Sequence, residues 1–199
     1  MSKDKIIYGK GIVDLHYPKK IRRGSRGDSK TLWVCPYFER WRGLIRRCYS
    51  PQHLNRNPTY LGCEVCEDWL VFSRFKDWMQ TQDWEGKELD KDLLIPNNTL
   101  YSPNTCLWVS HDVNIFICGR KNDNNTVGTV LDKTTGLYRA QCSNPFGKTG
   151  YERRGYIGLF PTQELAHVAW RAKKREYACK LAEMQEDKRV ADALVQRYK

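Results

Sequence analysis

The sequence predicts a mixed α+β fold in which a small three-stranded antiparallel sheet packs on a long C-terminal helix, and three observations carry that expectation. Three short strand-like runs, residues 127–131, 137–142 and 155–160, are punctuated by Gly136, Gly147 and Gly150. After Pro161 and Thr162, which stop the last run and supply an N-cap, residues 163–198 contain neither Gly nor Pro, so one helix of roughly 50 Å is allowed at about 1.5 Å per residue. Upstream, Tyr37, Phe38, Trp41, Leu44 and Ile45 recur at i, i+3, i+4, i+7 and i+8 with arginines interleaved, which predicts an amphipathic helix over residues 36–48.

Composition sets the class. Of 199 residues, 40% are hydrophobic and 12% aromatic, including seven Trp, enough to build a core and to exclude wholesale disorder and fibrous repeats. No apolar run approaches the roughly 18 residues that span a bilayer, and no apolar signal core follows the first residues, so a soluble, cytoplasmic chain with no membrane partner is expected. In that compartment the eight cysteines read as reduced thiols, not a disulfide framework. The net charge of +11 points to a polyanionic partner.

Charge is unevenly spread. Residues 1–47 hold 13 basic and 4 acidic groups, residues 48–118 hold 5 and 10, and residues 119–199 hold 16 and 9. An acidic middle between basic ends suits a cation-binding centre whose flanks hold phosphates. The expected organisation is a basic, flexible N-terminal arm (1–34), a central domain (35–118), a polar linker (119–125), a C-terminal domain (126–172) and a helical extension (173–199) whose thin apolar stripe offers a surface to a protein partner. Within the central domain a second helix is expected from Trp69 to Trp78, a strand over residues 87–94, another over 106–109, and a short helix opening at His111.

The central chemistry lies in Leu89-Asp90-Lys91-Asp92, then Tyr101-Ser102-Pro103-Asn104-Thr105-Cys106-Leu107-Trp108-Val109, then Asn114. Read as strand, turn, strand and helix start, this order can bring a strand carboxylate and a helix side chain onto one cation. The residues resemble the HNH (ββα-metal) endonucleases of phages, and with Trp41, Arg47-Cys48, Tyr60, Val65-Cys66, Trp69 and Phe72 the resemblance extends over residues 36–116. It implies an HNH-like ββα-metal core that hydrolyses DNA phosphodiesters with Mg²⁺ or Mn²⁺, Asp90 and Asn114 holding the metal. Lys91 stands where better-known members have a general-base His, and Thr105 where they have a structural Asn. Carboxylates flank Lys91, which suits a cation facing a phosphate better than a neutral base and leaves Asp92 or His111 as the base. His111 lies one helical turn before Asn114. Cys63-x-x-Cys66 with Cys35 and Cys48 has the ligand types of a structural Zn²⁺ site, the alternative being buried free thiols.

The C-terminal signal is more specific. Val127-Gly128, Gly136-Leu137-Tyr138-Arg139-Ala140, Tyr156-Ile157-Gly158-Leu159-Phe160 and Glu164-Leu165-Ala166-His167-Val168-Ala169-Trp170 occur in order. They resemble the APETALA2-type DNA-binding domain, which also occurs fused to phage HNH nucleases. Alternation places Tyr138, Ala140 and Cys142 on one face and Arg139 and Gln141 on the other, with Ala140, Ala166 and Ala169 small enough for close helix–sheet packing. The outward face then offers Arg139, Gln141, Arg153 and Arg154 to the major groove of double-stranded DNA, while Arg22 and Arg23 in the arm hold backbone. The expected function is a phage homing-type DNA endonuclease; the alternative is a catalytically silent HNH-fold DNA-binding or regulatory protein.

Overall fold

The computed structural model describes residues 5–16, 20–23, 30–118 and 127–199. The architecture is mixed α+β with small sheets. The chain divides into two compact units, Met1–Glu85 with Ile95–Trp108, and Gly86–Leu94 with Val109–Lys199. Each unit is therefore discontinuous, unlike the contiguous central and C-terminal domains expected from composition, because the stretch after Gly86 leaves the first unit and returns to it. The expected linker, residues 119–125, lies outside the described residues.

The first unit opens with two antiparallel hairpins, where a flexible arm was expected. Strands β1 (Lys5–Ile7) and β2 (Gly11–Val13) join through a tight turn in which Tyr8 and Gly9 both take positive φ, 48° and 73°. Gly11 has no room for a side chain: a Cβ there would sit 3.0–3.1 Å from Ile7, Ile45 and Trp41. Strands β3 (Lys20–Arg23) and β4 (Lys30–Val34) pair antiparallel with an irregularity at Ile21/Arg22. The helix expected at residues 36–48 is α1 (Pro36–Tyr49), with Pro in its first turn. It is followed by α2 (Pro51–Arg56), a single 3₁₀ turn (Pro58–Tyr60) and β5 (Glu64–Val65).

The second expected helix is broken into α3 (Glu67–Leu70) and α4 (Phe72–Gln80). Val71 between them is extended and bridges Ile12 of β2, and Asp14 Oδ1 accepts from Ser73 N at 3.0 Å, so tertiary pairing overrides the helical spacing. The core of this unit is aromatic: Trp41, Trp69, Phe72 and Phe75 are fully buried, and Trp41 Nε1 donates to Trp69 O at 2.7 Å. Strand β7 (Leu100–Tyr101) runs parallel to β5.

The second unit contains β6 (Glu88–Asp90), shorter than the strand expected over residues 87–94, and α5 (His111–Ile117), entered from β8 (Leu107–Val109) through Ser110. Beyond these, β9 (Thr129–Leu131), β10 (Tyr138–Gln141) and β11 (Tyr156–Phe160) form the antiparallel sheet expected from the sequence, in the order β11-β10-β9. A five-residue helix α6 (Gly150–Arg154), closed by a Thr149/Glu152 capping box, precedes β11. Helix α7 (Gln163–Glu183), capped by Thr162, covers the sheet; Ala140 and Ala166 are fully buried there.

The single long C-terminal helix is not formed. The chain turns at 184–187, and α8 (Lys188–Arg197) packs back on α7 through Val190 and Leu194, so the extension does not project. The stop is made by Asp187, whose Oδ1 accepts from Arg189 N at 2.9 Å as the cap of α8.

Candidate functional site

In the second unit, β6 approaches α5. Ser110 Oγ accepts from Val113 N at 3.3 Å and fixes the start of α5, which sets His111 and Asn114 one turn apart on a shared face. Glu88 on β6 meets both: His111 Nδ1 donates to Glu88 Oε1 at 2.9 Å, and Asn114 Nδ2 donates to Glu88 Oε2. The structure thus unites His111 and Asn114 around a carboxylate that sequence reasoning missed. The signal was present: residues i and i+2 of a strand share a side, so a helix group that faces Asp90 also faces Glu88.

Asp90 itself is 8% exposed, and its Oδ1 accepts from Leu93 N at 2.7 Å and Asp92 N at 3.0 Å. Burial pushes its carboxyl above the usual carboxylate range, opposed by the bond from Leu93 N. Lys91 and Asp92, two of the expected catalytic groups, are joined to each other: Lys91 Nζ donates to Asp92 Oδ1 and Oδ2 at 2.7 and 2.8 Å. From α8, Arg197 donates to the Asp92 carbonyl at 2.5 Å, which ties the turn after β6 down. At the far end of α5 the Cys118 thiol is pushed up first by burial, then by Asp90, Asp92 and Glu88, with Arg197 opposing them. Thr105, in the first unit, pins the turn after β7, accepting from Ser102 N at 3.1 Å and donating to Leu100 O at 2.6 Å.

The sheet is the second place of interest. On its inner face Ala140 and Thr129 are buried beneath α7. On its outer face the register sets Val130, Arg139 and Leu159 in one row, and Gln141 opposite Tyr156 in the next. Arg139 Nε is buried and has no hydrogen-bond partner among the described residues. Arg153 and Arg154 sit on α6, both exposed, with Arg153 Nε donating to Gly147 O at 2.9 Å. His167 is structural: it stacks on Trp170 and its Nδ1 bonds the Val127 carbonyl at 3.1 Å. In the hairpin β3–β4, Arg23 is exposed; the side chain of Arg22 lies outside the description.

Among the described residues no three His, Cys, Asp or Glu side chains are grouped as a metal site. For the four cysteines of the expected zinc site the reason is geometric. Cys35 precedes α1 and Cys48 lies in its last turn, so about 20 Å of helix separates them, against zinc–sulfur bonds of ~2.3 Å. Cys35, Cys48 and Cys63 are instead buried thiols, and burial pushes the half-buried Cys66 thiol up. Among the described residues no helix is long and apolar enough to cross a membrane. Comparison with protein-family models, with curated proteins and with solved structures finds no match.

Proposed function

We propose that the chain is a DNA endonuclease of HNH type that hydrolyses phosphodiester bonds with one divalent metal and is directed to its site by an APETALA2-type sheet. The observation that carries this reading is the meeting of Glu88 on β6 with His111 and Asn114 on α5. The donor chemistry fits Mg²⁺ or Mn²⁺: the Glu88 and Asp90 carboxylates and the Asn114 amide oxygen are hard oxygen ligands, and Mg²⁺ takes one or two carboxylates and completes its shell with water and phosphate. Glu88 and Asn114 would hold it, with Asp90 beside them on the same strand. A divalent cation held by these residues would supply Lewis-acid polarisation of the scissile phosphate.

The chain's own residues do the rest. Glu88 orients the His111 ring through Nδ1, leaving Nε2, on an exposed side chain, to take the proton of the attacking water. Arg139 and Gln141 meet base edges, while Arg153, Arg154, Arg22 and Arg23 hold phosphates. The thin apolar stripe that motivates a protein partner, Tyr177, Leu181 and Met184, runs along the end of α7, with Leu181 buried and Met184 68% exposed.

A second reading, a catalytically silent DNA-binding or regulatory protein on the same scaffold, is favoured by Lys91, where the family's base stands, being paired with Asp92. Supercoiled plasmid and phage genomic DNA incubated with Mg²⁺, Mn²⁺ or EDTA, beside Asp90→Asn and Asn114→Ala, decide between them. Cleavage abolished by EDTA and by both substitutions supports the nuclease. Intact but gel-retarded DNA supports the silent protein, and intact, unretarded DNA overturns both.

A further inference from the structure

The outer face of the β9–β10–β11 sheet is not simply basic. Strand register aligns Val130, Arg139 and Leu159 in a single row, an aliphatic side chain on each side of the guanidinium. Both flanking residues are substantially exposed, Val130 at 49% and Leu159 at 38%. Branched aliphatics facing water on the same row as a cation gain nothing in the free protein; each leaves apolar surface unburied. Arg139 Nε is buried in this row and has no hydrogen-bond partner among the described residues. The occupant therefore has to offer, side by side, hydrogen-bond acceptors for an arginine and apolar groups for two aliphatics.

The major groove has both. Guanine presents O6 and N7 to a bidentate arginine, and thymine presents its C5 methyl, the one large apolar group in the groove. Strands lie ~4.8 Å apart, so Val130 and Leu159 stand about 10 Å from each other across Arg139. That distance spans about three base steps of ~3.4 Å and fits the ~12 Å width of the groove. The short sheet carries Arg139, with Arg153 and Arg154 on neighbouring α6, against a single carboxylate on that helix, Glu152, which its capping box engages. The net charge of these strands and α6 is positive, as a polyanionic partner requires.

We infer that this row reads thymine methyl groups within about two base pairs of a guanine, Arg139 taking the guanine and Val130 and Leu159 the methyls. This rests on the reading of the sheet as a DNA-binding face, and it adds a base class that the arginine alone would not select.

The test uses the whole chain and a duplex pool with a random twelve-base-pair core. Retained DNA is enriched by gel retardation, then copied once with dTTP and once with dUTP, which removes only the C5 methyl. The wild-type chain is expected to bind the thymine copy about three- to tenfold more tightly than the uracil copy. The Val130→Ala/Leu159→Ala variant, both positions being exposed, is expected to keep its circular dichroism spectrum and to bind the two copies alike. Equal binding of both copies by the wild type overturns the inference and leaves the DNA-binding reading standing. Failure to retain any duplex from the starting pool overturns the DNA-binding reading itself.

Discussion

Lys174 donates from Nζ to the main-chain carbonyl of Phe116 at the end of α5, with its nitrogen 3.5 Å from the centre of the Phe116 ring. A buried cation thereby satisfies one of the orphan carbonyls at the C-terminus of the helix that carries His111 and Asn114. Burial lowers the Lys174 pKa from 10.5 to about 8. Between those two values the unfolded chain holds the extra proton, so stability rises with pH across that window, and below pH 8 the full cost of burying the charge is present. Unfolding free energies by urea at pH 7, 9 and 10.5 are expected to show a gain of up to ~3 kcal/mol that Lys174→Met lacks. An identical slope in the variant would remove Lys174 as its source.

Asp90 performs a structural task that masks any metal role in a truncation. Its Oδ1 accepts two main-chain N–H groups, so Asp90→Ala is expected to cost about 1–3 kcal/mol in urea unfolding. Asp90→Asn keeps an acceptor in that place and should hold most of the stability. If it is as stable as the wild type and still fails to cut plasmid in Mg²⁺, the charge serves chemistry; full cutting by Asp90→Asn would confine Asp90 to the turn.

Glu88 is expected to matter as much as either expected ligand. Glu88→Gln preserves the size of the side chain but removes the charge that orients His111. Cleavage should fall by about a hundredfold or more, and the pH dependence of the residual rate should change shape. Unaltered cleavage and pH profile would exclude it from the centre.

Gly128 takes φ +83°, and a Cβ there would lie 2.0 Å from Cδ1 of Trp170. Gly128→Ala combines a left-handed backbone with a clash against an aromatic ring of α7, and is expected to destabilise the second unit by more than ~2 kcal/mol. A urea midpoint within error of the wild type would show that the sheet and α7 adjust freely.

Arg139→Ala should weaken binding of selected duplexes by about 1–3 kcal/mol and relax preference at one base pair. Arg23→Ala and Arg22→Ala should instead weaken all duplexes alike and reduce the salt slope by about one. Anisotropy titrations at several salt concentrations separate the two behaviours; unchanged preference in Arg139→Ala would sink its assignment.

Elements with a strong local signature were legible in the sequence. Helix α1 follows from its apolar spacing, the three strands of the sheet from their glycine punctuation, and the start of α7 from Thr162. The misses share a physical cause: competition from distant partners. Nothing near Val71 announces that Ile12 pairs with it and splits a helix. The break at Asp187 falls in a run without Gly or Pro, whose propensity favours a continuous helix. At the site, Asn114 entered through the resemblance and His111 through its position one helical turn earlier, whereas Glu88 emerged only once β6 met α5. Lys174 gives no sequence signal at all, because a buried lysine in a charged helix is indistinguishable from a solvated one until the packing is known.

The bond from Arg197 to the Asp92 carbonyl spans 105 residues of chain. During synthesis on the ribosome β6 therefore emerges long before the helix that clasps its turn, while much of the first unit, including the buried aromatics of α1, α3 and α4, is already available to condense. The β6 turn reaches its final form only after nearly everything else has been made. A ribosome stalled short of α8 thus leaves a product whose candidate catalytic strand lacks its clasp.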